Sequence, residues 1–145
     1  MTSVPLSLRP AESDADILAF FPMVKQLRPH LESPQAFLSI VGMQRRENYR
    51  VLGAWREGAP CGYAGYRILH NLVHGHFLYV DDLVTLQDAR GGGVGGAMLG
   101  ELKKLALNAG CRRLVLDTGM DNALAQRFYF RNGLLARGLH FGVDL

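Results

Sequence analysis

A run of glycines in the second half of the chain constrains the fold more than any other feature. Five of the six residues from Gly91 to Gly96 are glycine, and each glycine costs about 1 kcal/mol relative to alanine inside a helix or strand. The apolar segment 77–86 precedes the run, and the amphipathic segment 97–109 follows it. The pattern predicts a strand, a non-helical glycine loop and a helix, in that order.

This arrangement predicts an anion-binding site. Backbone N–H groups at the beginning of a helix are not bonded within the helix, and they attract negative charge. Arg90, directly before the glycines, adds a forked guanidinium group that suits phosphate. A flexible solvent loop is the common alternative for a glycine run, but the arginine and the amphipathic helix favour a phosphate site.

Two other phosphate-binding motifs must be weighed against this run. Gly91, Gly93 and Gly96 satisfy the dinucleotide pattern G-x-G-x-x-G, and Asp117 lies at the end of a later apolar segment. That motif belongs directly after the first strand of a fold with several further strand–helix units. Here the run comes late, and only residues 97–145 follow it. A P-loop is excluded because Ala97 stands where that motif has lysine.

Composition indicates a single globular domain, residues 1–145, without an unusual partner. The net charge of +3 is too small to predict nucleic-acid binding, and no segment reaches 18 apolar residues. The two cysteines, Cys61 and Cys111, lack metal-binding spacing. We therefore expect reduced thiols, a cytoplasmic location, no metal and no membrane contact.

Hydrophobic periodicity predicts the element order β-α-α-β-β-β-α-β-α-β. The predicted strands cover residues 6–9, 49–56, 61–69, 76–85, 114–117 and 139–143. The predicted helices begin at the cap residues Ser13 or Asp14, Ser33, and Asp121 or Asn122, and after the glycine run. Pro22 should kink or restart the first helix. The fold class is α/β (α+β), with a mixed, mostly antiparallel sheet and helices on both faces.

The glycine run and a later segment together resemble a known family. Arg90, Gly93 and Gly95 match the pyrophosphate loop, Arg/Gln-x-x-Gly-x-Gly/Ala, of the GNAT superfamily of acyl-CoA-dependent N-acetyltransferases. The family's later pattern is Asn-x-x-Ala-x-x-Phe-Tyr-x-x-x-Gly. It is met by Asn122, Ala125, Phe128, Tyr129 and Gly133. The element order also agrees over nearly the whole chain.

The resemblance implies that the chain takes acetyl-CoA as co-substrate. The pyrophosphate would be bound by Arg90, Gly91, Gly92, Gly93, Val94, Gly95 and Gly96. The backbone of Leu83, Val84 and Thr85 would bind the pantetheine arm as a neighbouring strand does. Asn122 and Tyr129, two helical turns apart, would face the cofactor, and Ala125 between them would leave room.

Segment 79–85 is most similar to the acidic strand of small-amine and diamine acetyltransferases, where a Glu-Asp pair stands in place of Asp81-Asp82. The implied partner is a small amine or a protein amine, and a homodimer stays open. Two other functions also stay open. One is an acyl-CoA-binding or sensing domain without turnover, and the other is transfer of a larger acyl group.

The chemistry requires an acid and a base. The amine must lose a proton before it attacks the thioester, and the departing thiolate must gain one. Tyr129 is the proposed acid, because a phenol with a pKa of about 10 keeps its proton at neutral pH. Strand alternation predicts that Asp81 and Asp82 point to opposite faces. We favour Asp81 as base, directly or through a bridging water, with Asp82 as a structural residue; the reverse assignment stays open.

Overall fold

The computed structural model describes residues 4–86 and 93–145. In chain order, its elements are β1 (Leu6–Pro10), α1 (Asp14–Ala19), α2 (Phe21–Leu27), α3 (Pro34–Arg45), β2 (Tyr49–Arg56), β3 (Ala59–Asn71), β4 (Gly75–Thr85), α4 (Val94–Asn108), β5 (Arg113–Leu116) and α5 (Ala123–Arg131). The chain divides into two units, Met1–Val115 and Leu116–Leu145.

The strands form one five-stranded sheet in the order β1-β2-β3-β4-β5. The first four strands are antiparallel neighbours. The Arg112 N–H donates to the His76 carbonyl (2.8 Å), so β5 begins beside the start of β4. Because β4 reaches β5 through a crossover that contains α4, the sheet is mixed. The predicted mixed, mostly antiparallel sheet is confirmed.

Helices cover both faces of this sheet. On one face, the Tyr63 ring packs against Phe20, at the junction of α1 and α2, and against Phe37 of α3. On the other face, a Cβ atom at Gly62 would overlap the sulfur of Met98, so α4 lies close against the strand. Gly62 and Tyr63 are consecutive strand residues and therefore face opposite sides.

Helix boundaries follow the local signals. The Ser33 hydroxyl accepts a hydrogen bond from the Ala36 N–H (3.0 Å) at the beginning of α3. The Ser13 hydroxyl does the same for the Asp16 N–H (3.1 Å) at the beginning of α1. The first predicted helix does restart near Pro22, which lies in the first turn of α2, where proline is tolerated.

Two sequence predictions about the elements are wrong. α4 begins at Val94, so Gly95 and Gly96 are helical and only the earlier glycines precede the helix. Glycine is costly in a helix interior, but these two residues lie in the first turn of α4, at the end of the helix. The predicted last strand, 139–143, is absent, because residues 134–145 form neither helix nor strand.

The absent strand shows the limit of a periodic pattern. Leu139, Phe141 and Val143 alternate with smaller or polar residues, as in a half-buried strand, but their side chains are 69%, 86% and 83% exposed. A strand also needs a hydrogen-bonding neighbour, and the unit Leu116–Leu145 does not contain one among its described elements.

In the described residues, none of the helices combines the length and apolar character that crossing a membrane requires.

Candidate functional site

The acidic strand is irregular at the position of its two aspartates. In the β3–β4 register, Gly65 lies opposite Asp82 and Tyr66 lies opposite Val80, so Asp81 is an extra residue on β4. Such a β-bulge bends the strand and re-aims the side chains next to it. The site is therefore built around a local break in the strand pairing.

Asp81 forms a two-bond ion pair with Arg67 of β3. The Arg67 Nε donates to Oδ2 at 3.0 Å, and its Nη2 donates to Oδ1 at 2.5 Å. The Asp81 side chain is 13% exposed. The hydrogen bond to Asp81 is the main cause that raises the pKa of Arg67 above its ordinary value. Asp81 is thus held in one orientation by a fixed cation.

Asp82 is held by a different set of partners. Its Oδ2 accepts a hydrogen bond from the Tyr49 hydroxyl at 2.7 Å, and its Oδ1 accepts one from the Arg28 Nε at 3.1 Å. The Tyr49 hydroxyl is also 2.9 Å from that of Tyr63. Arg28, just after α2, also donates to the Asp81 carbonyl at 3.0 Å. Asp82 therefore connects α2, β2 and β4.

Burial controls the ionisation of the two tyrosines. Tyr49 and Tyr63 are 1% and 0% exposed. Loss of solvation is the main cause that raises the pKa of Tyr49 well above its ordinary value, and the nearby Tyr63 and Asp82 add to the effect. Burial also raises the pKa of Tyr63. Both phenols therefore stay neutral at physiological pH.

The two carboxylates lie on the same face of the sheet. Arg67 lies directly opposite Tyr49 in the β2–β3 register, so these two side chains share a face. Arg67 binds Asp81 and Tyr49 binds Asp82. The prediction of opposite faces is wrong here, because the bulge inserts one residue and interrupts the alternation.

Gly65 makes this arrangement possible. A Cβ atom at Gly65 would overlap the Tyr49 hydroxyl. The hydroxyl occupies the space that a side chain on β3 would fill, and from there it reaches Asp82. The glycine is needed for a close approach of another group, which is a common role of glycine within a strand.

Beyond the bulge, the outer edge of β4 carries the predicted pantetheine residues. β5 has four residues against eleven in β4 and begins beside His76. Among the described strands, only the first half of β4 therefore has a neighbour on that side. Val84 packs its side chain into the core, whereas Leu83 and Thr85 are half-buried. The second half of β4 therefore has an open side along its backbone among the described strands.

The predicted pyrophosphate loop lies only partly within the described residues. Arg90, Gly91 and Gly92 fall outside them. Gly93 immediately precedes α4 and has a φ of 79°, a left-handed conformation that favours glycine. Val94 is buried, and Gly95 and Gly96 follow it in the first turn. The free N–H groups of this turn form the kind of site that binds phosphate.

The second unit contains the other predicted site residues. The Asn122 side chain accepts a hydrogen bond from the Ala125 N–H (3.1 Å) and so caps α5. Tyr129 is half-buried, and burial raises its pKa. Within residues 116–145, its hydroxyl has no hydrogen-bond partner. The phenol is therefore protonated at neutral pH.

A sequence model described as "Acetyltransferase (GNAT) family" matches residues 16–134. The chain belongs to this family. The match includes the bulged strand β4, the beginning of α4 and the whole of α5.

One curated relative agrees with the GNAT assignment. An uncharacterized N-acetyltransferase of Methanocaldococcus jannaschii is 34% identical over 98 residues, which are 61% of this chain and 62% of the relative. The matched part thus spans less than two thirds of that relative's length.

Solved structures show the same fold. An acetyltransferase of Trypanosoma brucei has a TM-score of 0.79 at 23% identity, covering 97% of this chain and 100% of that one. Aminoglycoside N-acetyltransferase AAC(6')-Iy in complex with CoA has a TM-score of 0.87 at 19% identity, covering 99% and 97%. At such identities the likeness establishes the GNAT fold and nothing finer.

Sequence reasoning missed the partners of the acidic pair in this GNAT chain. The strand register brings Tyr49 of β2 and both Tyr63 and Arg67 of β3 to this part of the sheet, and the packing of α2 brings Arg28. No local spacing in the sequence indicates these contacts. The described residues include no group of three or more His, Cys, Asp or Glu side chains that could hold a metal ion.

Proposed function

We propose that this GNAT protein transfers the acetyl group of acetyl-CoA to a primary amine by direct attack of the amine on the thioester. The observation that carries the proposal is the bulged strand β4, which presents Asp81 beside an open backbone edge. Family membership supports the choice of co-substrate.

The co-substrate would be held mainly by backbone groups. The first turn of α4, which follows the left-handed Gly93, offers unpaired N–H groups for the pyrophosphate. The edge of β4 at Leu83, Val84 and Thr85 offers hydrogen bonds to the pantetheine arm. Arg90, Gly91 and Gly92 complete the proposed pyrophosphate site from the segment before α4. Asn122 and Ala125 would also lie beside the cofactor, as the family resemblance implies.

In the reaction, the amine nitrogen forms a bond to the acetyl carbon, and the bond from that carbon to sulfur breaks. The attacking ammonium must first give a proton to a base, and the departing thiolate must receive one. We assign the acid role to Tyr129, whose raised pKa keeps the phenol protonated. The base is Asp81, acting through a water molecule because its oxygens already bind Arg67.

Asp82 is assigned a structural role. Its two oxygens bind Tyr49 and Arg28, so it links the end of α2 to the middle of the sheet. A carboxylate with a neutral buried phenol on one side and a guanidinium on the other is held in place, and proton exchange there would disturb the core. This division of roles agrees with the sequence preference for Asp81.

The net charge around the acidic pair indicates which class of amine is the acceptor. The acidic pair supports a small amine or diamine, as the sequence resemblance implies. Each carboxylate, however, has an arginine partner, so the pair carries little net charge toward a polycation. We therefore propose a monoamine or a protein amine ahead of a diamine.

We further propose a homodimer and a reducing, cytoplasmic location. The exposed alternating side chains of 139–143 support self-association. The unpaired, buried Cys61 and Cys111 support a reducing compartment.

The test is an assay of free-thiol release from acetyl-CoA across an amine library, with acetylated products identified by mass spectrometry. Turnover of at least one monoamine or protein amine is expected. Binding of acetyl-CoA without any turnover would instead support a sensing domain. Faster turnover with propionyl-CoA or succinyl-CoA would establish transfer of a larger acyl group.

A further inference from the structure

A cavity of about 640 Å³ lies where β1 ends. Pro10 is the last residue of β1 and pairs with Leu52 of β2, so the beginning of β2 extends past β1. The last turn of α3, the first residues of β2 and the middle of β3 complete the wall. The volume falls within the range of small-molecule sites, roughly 300–1,000 Å³.

Two arginines line this cavity, and each is oriented by the backbone. The Arg45 Nη2 donates to the carbonyls of Ala11 and Glu12, both at 3.1 Å. The Arg50 Nη1 donates to the Tyr49 carbonyl at 3.0 Å. These bonds use one nitrogen of each guanidinium and leave the others for a ligand.

Neither cavity arginine has a carboxylate partner among residues 4–86 and 93–145. In the same unit, Arg9, Arg28 and Arg67 each form an ion pair with an aspartate. The cavity thus has two positive groups whose charge no described side chain offsets at ion-pair distance. An anionic ligand would supply the missing negative charge.

The rest of the wall is mixed. Glu12 and Asn48 are polar and the other residues are apolar, and the Glu12 carboxylate is not within ion-pair distance of either arginine. Pro10 and Ile68 present hydrocarbon surface, and Tyr66 adds an aromatic ring. Burial raises the pKa of Tyr66, and the charge of Arg50 opposes this effect, so the ring lies near that guanidinium. A bare phosphate or acetate would leave this apolar surface uncovered.

We propose that this cavity binds a small organic acid, with its carboxylate between Arg45 and Arg50 and its apolar body against Ile68 and Tyr66. The site is separate from the proposed transfer site. Its lining includes neither Asp81, Asp82 nor the residues of the β4 edge. The cavity can therefore bind its ligand whether or not the protein transfers acetyl groups.

The probe is benzoate, titrated into the ¹⁵N-labelled full chain and followed by two-dimensional NMR. We expect saturable shifts centred on the amides of Glu12, Asn48 and Tyr66. Acetate has the charge without the ring, and benzamide has the ring without the charge. Both should bind at least tenfold more weakly, because benzamide lacks the charge that the arginines bind and acetate lacks the ring that covers the apolar wall.

The deciding variant is Arg50→Gln, with Arg46→Gln as the matched control. Arg50 and Arg46 are both exposed, so either change should leave the fold intact. Arg50→Gln should weaken benzoate about tenfold, whereas Arg46→Gln, outside this cavity, should not. Unchanged affinity in Arg50→Gln, shifts elsewhere in the chain, or binding of inorganic phosphate in preference to benzoate would each overturn the proposal.

Discussion

At the scale of single residues, Tyr129 is tested by removing one oxygen atom. Tyr129→Phe should lower kcat by roughly 10²- to 10⁴-fold, the range associated with a positioned acid. Stability should hardly change, because the ring stays and the hydroxyl has no partner within 116–145. The control is Tyr66→Phe, because Tyr66 is another half-buried tyrosine and lies outside the proposed acetyl-transfer site. Wild-type turnover in Tyr129→Phe would mean that water protonates the thiolate.

The two aspartates differ in what a neutral substitute should do. In Asp81→Asn, the loss of rate should be greatest at neutral pH. It should shrink as the pH approaches the amine's own pKa, about 10, where free amine is abundant.

Asp82→Asn should instead lower the free energy of unfolding by about 1–3 kcal/mol, because Arg28 and Tyr49 lose a charged acceptor. Its effect on the rate should show no recovery at high pH. Rate profiles and urea unfolding of both variants distinguish the roles. Recovery in Asp82→Asn and not in Asp81→Asn would reverse the assignment.

At the scale of elements, the beginning of α4 is tested by adding a side chain. Gly95→Val should weaken acetyl-CoA binding more than about tenfold, because a branched Cβ obstructs approach of the pyrophosphate to the backbone. Gly100→Val is the matched control, since it lies in the same helix with nothing within 4 Å of its Cβ position. Calorimetry measures both. Equal affinities of Gly95→Val and Gly100→Val for acetyl-CoA, or displacement of acetyl-CoA by NADH, would contradict the proposed pyrophosphate site.

The tyrosine pair between β2 and β3 makes stability depend on alkaline pH. Both pKa values are raised from 10.0 in the folded protein, so above pH 10 the unfolded chain loses protons that the folded chain keeps. The free energy of unfolding should then fall as pH rises, with a limiting slope of about 1.4 kcal/mol per pH unit for each tyrosine. Below pH 10 this contribution is fully present.

Tyr63→Phe should remove the contribution of one tyrosine from the slope of the free energy of unfolding against pH. Urea unfolding between pH 9 and pH 11 measures this change. Tyr66→Phe serves as a control, because Tyr66 is less buried and its pKa is raised to a smaller degree. The same slope in Tyr63→Phe as in the unmodified chain would show that other groups cause the alkaline loss.

Elements with local signals were predictable, and elements that depend on distant pairing were not. Ser33 and Gly110 mark the beginning of α3 and the end of α4 through their own conformations, and the structure agrees. The bulge at Asp81 arises from the β3–β4 register, which no local pattern records. The same reason explains why the partners of Asp82 were not found.

At the scale of the whole molecule, the family was readable because its motifs are local. The glycine run and the pattern around Tyr129 each lie within one short stretch, so they survive without knowledge of the tertiary structure. The acceptor was not readable, because it depends on side chains that several elements bring together. Arg28 and Arg67 show this: they offset an acidic pair that looked suited to a cation.

The assembly is tested through segment 139–143. The side chains of Leu139, Phe141 and Val143 are mostly exposed, and each offers roughly 100 Å² of apolar surface. If a twofold arrangement places each segment against other surface of its partner, the two segments of about 300 Å² and the matching areas that they cover bury on the order of 1,200 Å² in total. This is the lower limit of a stable interface. Sedimentation should therefore show a dimer at micromolar concentration.

Phe141→Asp should give a monomer, because two buried carboxylates would face an apolar surface. Leu72→Asp, an equally drastic change at a fully exposed turn residue, should leave the dimer intact. Comparing the two variants separates the role of segment 139–143 from a general effect of added negative charge. A monomeric unmodified chain, or a dimer that survives Phe141→Asp, would mean that a second copy of the chain does not cover this apolar segment.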